Sequence, residues 1–184
     1  LDFGTGAFTI NMWVKTTQTN SPTLYGNALS GSPYTGINFR LSGSSSYPLV
    51  TVDNTGVILG TISVNDGNYH MLTVTKDSSG NYELFVDDTS DGTGFLNTNV
   101  NVASDLLLGY QDGWGNYFSG DMDEVGFWSR KLSDEEIEEL YPENKPRRDM
   151  RLYHAISQEK EEASKLIQSY VTDNKSVFTG NPKE

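Results

Sequence analysis

The chain has 184 residues, 35% of them hydrophobic, with 18 Gly, no Cys and a formal net charge of −12. That length supports one well-buried domain with residues to spare. The acidity disfavours nucleic-acid binding, and the lack of Cys excludes disulfides and Cys-ligated zinc. No apolar run is long enough to span a bilayer and no signal peptide is visible. The chain opens at Leu1 rather than Met, so it reads as a fragment of a longer protein. Residues 1–142 carry 5 Lys and Arg against 18 Asp and Glu, a net −13, whereas residues 143–184 carry 8 against 7, a net +1. A boundary is therefore expected near Pro142.

In chain order, Phe8, Ile10, Met12 and Val14 alternate with Thr9, Asn11, Trp13 and Lys15, the period-two pattern of a strand. Ile37, Phe39 and Leu41 make a second strand, and Pro48–Val52 a third, ended by the turn DNTG. Val57–Val64 is β-branched and reads as the next. Tyr69–Asp77 and Asn81–Asp88, joined by SSG, form a hairpin. Asp105–Tyr110 and Asp123–Trp128 complete the set. Short strands, turn-rich loops and almost no helical pattern before Ser133 predict an all-β, two-sheet antiparallel jelly-roll sandwich.

One short helix follows the last strand. Ser133 and Glu136 make a capping box, Leu132 and Ile137 a hydrophobic staple, and Asp134, Glu135 and Glu136 favour the positive end of the helix dipole. Pro142 ends it. A linker and an amphipathic helical tail are expected over 142–184. Within about 147–171, Tyr153, Ile156, Lys160, Ala163, Ile167 and Tyr170 recur at spacings of three and four. That stripe either packs back on the sandwich or docks on another chain, so Tyr153, Ile156, Ile167 and Tyr170 are candidate partner-docking residues. Self-association through this helix is one expected consequence.

The segments FTINMWVKT, NDGNYHMLTVTKDSSGNYELFVDD and FSGDMDEVGFWSRKLSDEEIEELY resemble, in order and spacing, the laminin-G-like domains of the concanavalin-A-like, pentraxin-related superfamily. The resemblance covers about residues 1–141. It implies a jelly roll used for recognition in an extracellular, cell-surface or virion protein: glycan binding or adhesion, with calcium as a cofactor. The family's opening strand is missing ahead of LDFGTGAFTI; it lies upstream or another segment supplies it. Tyr69 stands where the family favours Trp. Asp88 replaces the family's turn Gly, so the loop TSDGTG is expected to be remodelled.

Three sets of residues are candidate sites. Asp121 and Asp123 share a strand face, as in jelly-roll glycoside hydrolases, but position 126, where those enzymes need a third acid, is Gly. No catalytic residue is therefore assigned, and Asp123 and Glu124 are read as buried carboxylates serving a bulge, since Met122 and Val125 cannot otherwise share a face. His70 is read as a packed or interface residue, and neither it nor His154 has a nucleophile at motif spacing. LGYQDGWGNYF, at 108–118, resembles the pentraxin calcium loop, which implies Gln111 and Asp112 as metal ligands; alternatively Asp112 starts a turn with Gly113. The same loop carries Tyr110, Trp114 and Tyr117, which either stack on a sugar or cap the core. The partners expected are a glycan or a surface protein, with no nucleic acid and no membrane insertion. The competing role is a structural or decorating domain docked through the tail helix.

Overall fold

In a computed structural model, residues 3–27, 36–101, 105–110 and 117–141 are described. The chain divides into two compact units, Leu1–Pro142 and Glu143–Glu184; the tail stripe of Tyr153, Ile156, Ile167 and Tyr170 lies outside the described residues. The first unit contains β1 (Phe8–Lys15), β2 (Thr23–Gly26), β3 (Ile37–Ser42), β4 (Tyr47–Val52), β5 (Thr55–Leu59), β6 (Tyr69–Lys76), β7 (Asn81–Val86), β8 (Thr89–Phe95), β9 (Leu107–Leu108), β10 (Asp121–Trp128) and α1 (Asp134–Leu140). These strands build two five-stranded sheets, ordered β10-β1-β6-β7-β8 and β5-β4-β3-β2-β9. Every pairing is antiparallel. The jelly-roll sandwich expected from the sequence is the fold.

The period-two pattern explains the core. Phe8, Ile10, Met12 and Val14 of β1 face Leu24, Phe39, Leu41, Val50 and Val52 of the other sheet, all fully buried. Each such side chain contributes about 1.5–3 kcal/mol on burial. The other face of β1 is covered too. Trp13 joins Met71, Phe85, Leu132 and Ile137 in a second apolar cluster beneath α1. The covering segment is also tied down by polar contacts, because the Thr9 hydroxyl donates to the Arg130 carbonyl (2.9 Å) and accepts from the Leu132 amide (2.9 Å). The capping box of α1 forms as expected: Ser133 Oγ accepts the Glu136 amide and Glu136 Oε2 accepts the Ser133 amide. Arg130 grips both oxygens of the same carboxylate (2.6 and 2.7 Å), and its hydrogen bonds lead in holding the Glu136 pKa at about 2.

Two strands were invisible in the sequence, and two predicted strands are shorter. The missed strands are β2 and β8. The segment Thr89–Phe95 reads as a loop because its inward positions are Asp91 and Gly rather than apolar residues. Structure supplies the reason. A Cβ on Gly94 would run into the Val57 carbonyl of β5, so glycine lets the two sheets meet along this edge. There Asp91, 8% exposed, accepts the amides of Thr61 (2.9 and 3.0 Å) and Ile62 (3.2 Å) and the Thr61 hydroxyl (2.8 Å). Those contacts also explain why the strand expected over Val57–Val64 stops at Leu59: amides 61 and 62 turn to the carboxylate instead of a neighbouring strand. The strand expected over Asp105–Tyr110 is reduced to Leu107–Leu108, because Gly109 at φ +70 turns the chain. The β4–β5 hairpin turns on Asp53 and Asn54, both at positive φ, the arrangement that matches strand twist.

A second buried charge closes the start of the described chain. Lys76, fully buried, donates to the carbonyls of Thr5 (2.8 Å), Gly6 (3.1 Å) and Asp77 (3.1 Å), and burial pushes its pKa down.

Replacing Asp91 by Ala removes the acceptor of the part-buried Thr61 and Ile62 amides. The expected loss is about 1–2 kcal/mol, read as a lower denaturation midpoint with an unchanged slope. A midpoint equal to that of the parent chain would contradict the role given to Asp91.

Candidate ligand-binding rim

At one end of the sandwich, four loops meet: those between β1 and β2, β3 and β4, β5 and β6, and β9 and β10. Gln18 joins them. Its side-chain amide donates to the Tyr117 carbonyl (2.7 Å), and its Oε1 accepts the Ser119 amide (2.8 Å). Its backbone carbonyl accepts the Ser46 hydroxyl (2.6 Å) and the Asn65 side-chain amide (3.4 Å). Asn65 also reaches the Ser44 carbonyl, and Ser63 the Ser45 carbonyl. The Thr16 hydroxyl adds a bond to the Ser119 carbonyl, and the Gly67 amide one to the Thr16 carbonyl. Loop backbone so satisfied holds its side chains in place without a ligand.

On this platform stand Tyr110 and Tyr117. Their rings stack with centroids 4.7 Å apart and planes 8° from parallel, and Tyr117 is 62% exposed. The pinch that sets them side by side is a pair of backbone bonds, Phe118 N to Gly109 O and Gly109 N to Leu24 O, each 2.8 Å. Of the aromatic and metal residues expected from the sequence, the described structure brings together Tyr110 and Tyr117. Trp114, Gln111 and Asp112 lie outside the described residues. Tyr117 does not cap the core: most of its surface meets solvent.

Beside the platform is an open cleft of about 300 Å³, lined by Lys15, Thr16, Thr17, Ser119 and Asp121 among others. Lys15 lies between Asp121 of β10 and Tyr69 of β6 in register. Its ammonium sits 5.4 Å from the Tyr69 ring centre, and the Tyr69 hydroxyl donates to Asp121 Oδ2 (3.1 Å). The tyrosine in place of the family's tryptophan thus adds a hydrogen bond. Lys15, Gln18 and Asn65 carry no motif; a polar residue at the end of a strongly apolar strand was the signal available for Lys15.

The acid pair of β10 needs a correction. Asp123 and Glu124, expected to be buried, are exposed, as is Asp121. The expected bulge is present: register shifts between Asn11 and Trp13, which face Gly126 and Asp123, and Glu124 takes φ +45. Asp123 Oδ1 accepts the Glu124 amide at the bulge (2.8 Å). A Cβ at Gly126 would strike the Trp128 indole, so that position has no room for an acid. Among the described residues, no group of three or more His, Asp or Glu side chains is placed to hold a metal ion. Among the described carbonyls on either side of this segment, that of Gly109 accepts Phe118 N and that of Tyr117 accepts Gln18 Nε2. Calcium takes six to eight oxygens, so a site using Gln111 and Asp112 would draw the remainder from backbone carbonyls and water.

Two five-stranded antiparallel sheets packed in this way define a jelly-roll β-sandwich. The family model described as the concanavalin A-like lectin/glucanases superfamily, Laminin_G_3, matches residues 1–138, and the chain belongs to that family. No curated protein matches it in sequence. Its fold is similar to the binding domain of paraclostridial mosquitocidal protein 1 (TM-score 0.60, 13% identity, covering 76% of this chain and 38% of that one). It is similar also to the heptameric SAP-like pentraxin of Limulus polyphemus (TM-score 0.60, 12% identity, 74% and 70%). A third similar structure is domain 4 of AbnA, an extracellular arabinanase of Geobacillus stearothermophilus, solved with arabinotriose (TM-score 0.57, 16% identity, 77% and 70%). The chain spans 38% of the first of these structures. Identities this low show a common fold alone.

Proposed function

We propose that this domain is a non-catalytic recognition module of a larger surface or secreted protein, and that it binds a glycan at the rim carrying Tyr110 and Tyr117, with Trp114 of the same sequence segment as a further contact. The observation that carries the reading is the solvent-facing Tyr117 ring, stacked on a half-buried Tyr110 and held on a hydrogen-bonded platform by Gln18. A flat aromatic face presented to water suits the apolar face of a sugar, and the surrounding carboxylate, ammonium and hydroxyl groups suit its hydroxyls. Family membership and the arabinotriose-bound relative support a sugar as the ligand. The blocked position at Gly126 supports a role without glycoside hydrolysis. Among the described residues, no helix is long and apolar enough to cross a membrane. Adhesion through a surface glycan, on a cell or a virion, is the setting this activity fits.

A glycan array should give a signal with the whole chain, and Tyr117→Ala or Trp114→Ala should weaken it about two- to tenfold, since stacking on one ring is worth about 0.5–1.5 kcal/mol. Absence of any glycan signal would count against the reading.

Calcium is proposed as an accessory to the same loop, with Gln111 and Asp112 as the ligands this chain would contribute. Thermal unfolding with calcium and with a chelator tests it: bound calcium raises the melting temperature, because an ion that binds the native state stabilises it. Identical melts contradict it.

A second reading, docking into an assembly through the tail, draws on the sequence stripe of Tyr153, Ile156, Ile167 and Tyr170. Under it the chain self-associates or binds its assembly, and the double change Ile156→Asp with Ile167→Asp abolishes that in light scattering. Unchanged mass in the double variant would reject the reading.

A further inference from the structure

His70 opens the inner face of β6, beside Val14 of β1, and its side chain is 15% exposed. Its ring bridges two carboxylates. Nδ1 lies 3.1 Å from Asp87 Oδ2, and Nε2 lies 3.2 Å from Asp66 Oδ1. An ionised carboxylate only accepts hydrogen bonds, whereas a neutral imidazole donates from one nitrogen and offers a lone pair at the other. Both contacts are therefore hydrogen bonds together only when the ring carries two protons.

Each carboxylate is fixed by its own segment. Asp87, at φ +61 in the turn between β7 and β8, accepts the Met71 amide through Oδ1 (3.0 Å) and donates its own amide to the Met71 carbonyl (2.7 Å). Asp66 accepts the Asn68 backbone amide (2.8 Å) and side-chain amide (2.9 Å). Asp66 sits in the loop over 60–68, which also supplies Asn65 and Gly67 to the rim. The ring thus ties a rim loop to the sheet. Asp66 and Asp87 are the charged groups at the ring; Val14 is its neighbour on β1, and the adjacent Lys15 ammonium lies over Tyr69. The two carboxylates approach opposite ring nitrogens, so the three side chains do not converge as chelating ligands would.

We infer that His70 is a proton-operated latch, which fastens the rim loop over 60–68 to the β7–β8 turn and lets go of one carboxylate when the ring loses a proton. The hydrogen bond to Asp87 leads in holding the His70 pKa above its ordinary 6.5, burial opposes it, and Asp66 adds to the rise. A histidine raised in the folded state contributes stability that is complete below 6.5 and is lost as pH rises through the folded value. On the acid side, the bonds from Asn68 lead in lowering the Asp66 pKa below 3.8, so its share is present above that value and is lost as pH falls through the folded one. The latch is complete between those two titrations.

The latch stands on geometry alone; its effect on glycan affinity rests on the reading of the rim as a sugar site. The test uses the whole chain as wild type, His70→Gln and Asp66→Asn. Ring nitrogen shifts and amide exchange over 60–68 are followed from about pH 5.5 to about pH 8.5, across the ordinary histidine range. In the wild type the ring is more than half doubly protonated at pH 6.5, and loop protection falls as it titrates, by about tenfold for each unit the pKa is raised. Asp66→Asn moves the ring titration downward with the fold intact, and His70→Gln removes the pH dependence. A neutral wild-type ring below pH 6.5, an unmoved titration in Asp66→Asn, or the same pH profile in His70→Gln would each overturn the latch. Array binding is measured in parallel. Binding without the latch signatures rejects the latch and spares the sugar reading; latch signatures without binding do the reverse.

Discussion

Everything in this domain follows from burying the inner faces of two sheets against each other. Ten short strands place Phe8, Ile10, Met12 and Val14 on one side and Phe39, Leu41, Val50 and Val52 on the other. Once those faces meet, the loops that cross between the sheets must satisfy their backbone groups at the ends and edges, where water reaches only one side. The polar residues that look incidental in the sequence perform that task. Asp91 holds the β5–β8 edge, Lys76 ties the two carbonyls before β1 to the one after β6, and Gln18 knits the loops at the rim.

That arrangement explains how a rim can be both rigid and available. Where neighbouring loops already hold the described backbone, as at Tyr117 and Ser119, less of it is left to order on binding. Tyr117 shows the outcome: its carbonyl is bound by Gln18 while its ring faces solvent against Tyr110.

Parts of this were legible in the sequence for plain reasons. β1, the β6–β7 hairpin and β10 declare themselves because alternation and turn residues are local signals. The capping box of α1 is local as well, with Ser133, Glu136 and Ile137 within five positions. Even the bulge at Glu124 follows from the parity of Met122 and Val125. β8 was hidden because its inward positions hold Asp91 and glycine, a choice dictated by β5 pressing close, which no local pattern reports. Of the candidate site, Tyr110 and Tyr117 were readable as aromatics in a loop. Gln18 was not, since the backbone it binds lies about a hundred residues away in sequence. His70 was readable as a packed residue, but its two carboxylates are brought to opposite ring nitrogens only by the hairpin and the loop before it.

The central claim is that the rim around Tyr110 and Tyr117 is where this domain meets its ligand. It is tested most directly by mapping amide and aromatic NMR shifts of the whole chain while titrating in the oligosaccharide that binds it best. The account predicts saturable shifts confined to Tyr110, Tyr117, Gln18, Ser119 and the cleft beside them. Saturable shifts centred elsewhere, with the two tyrosine rings unmoved, would contradict it.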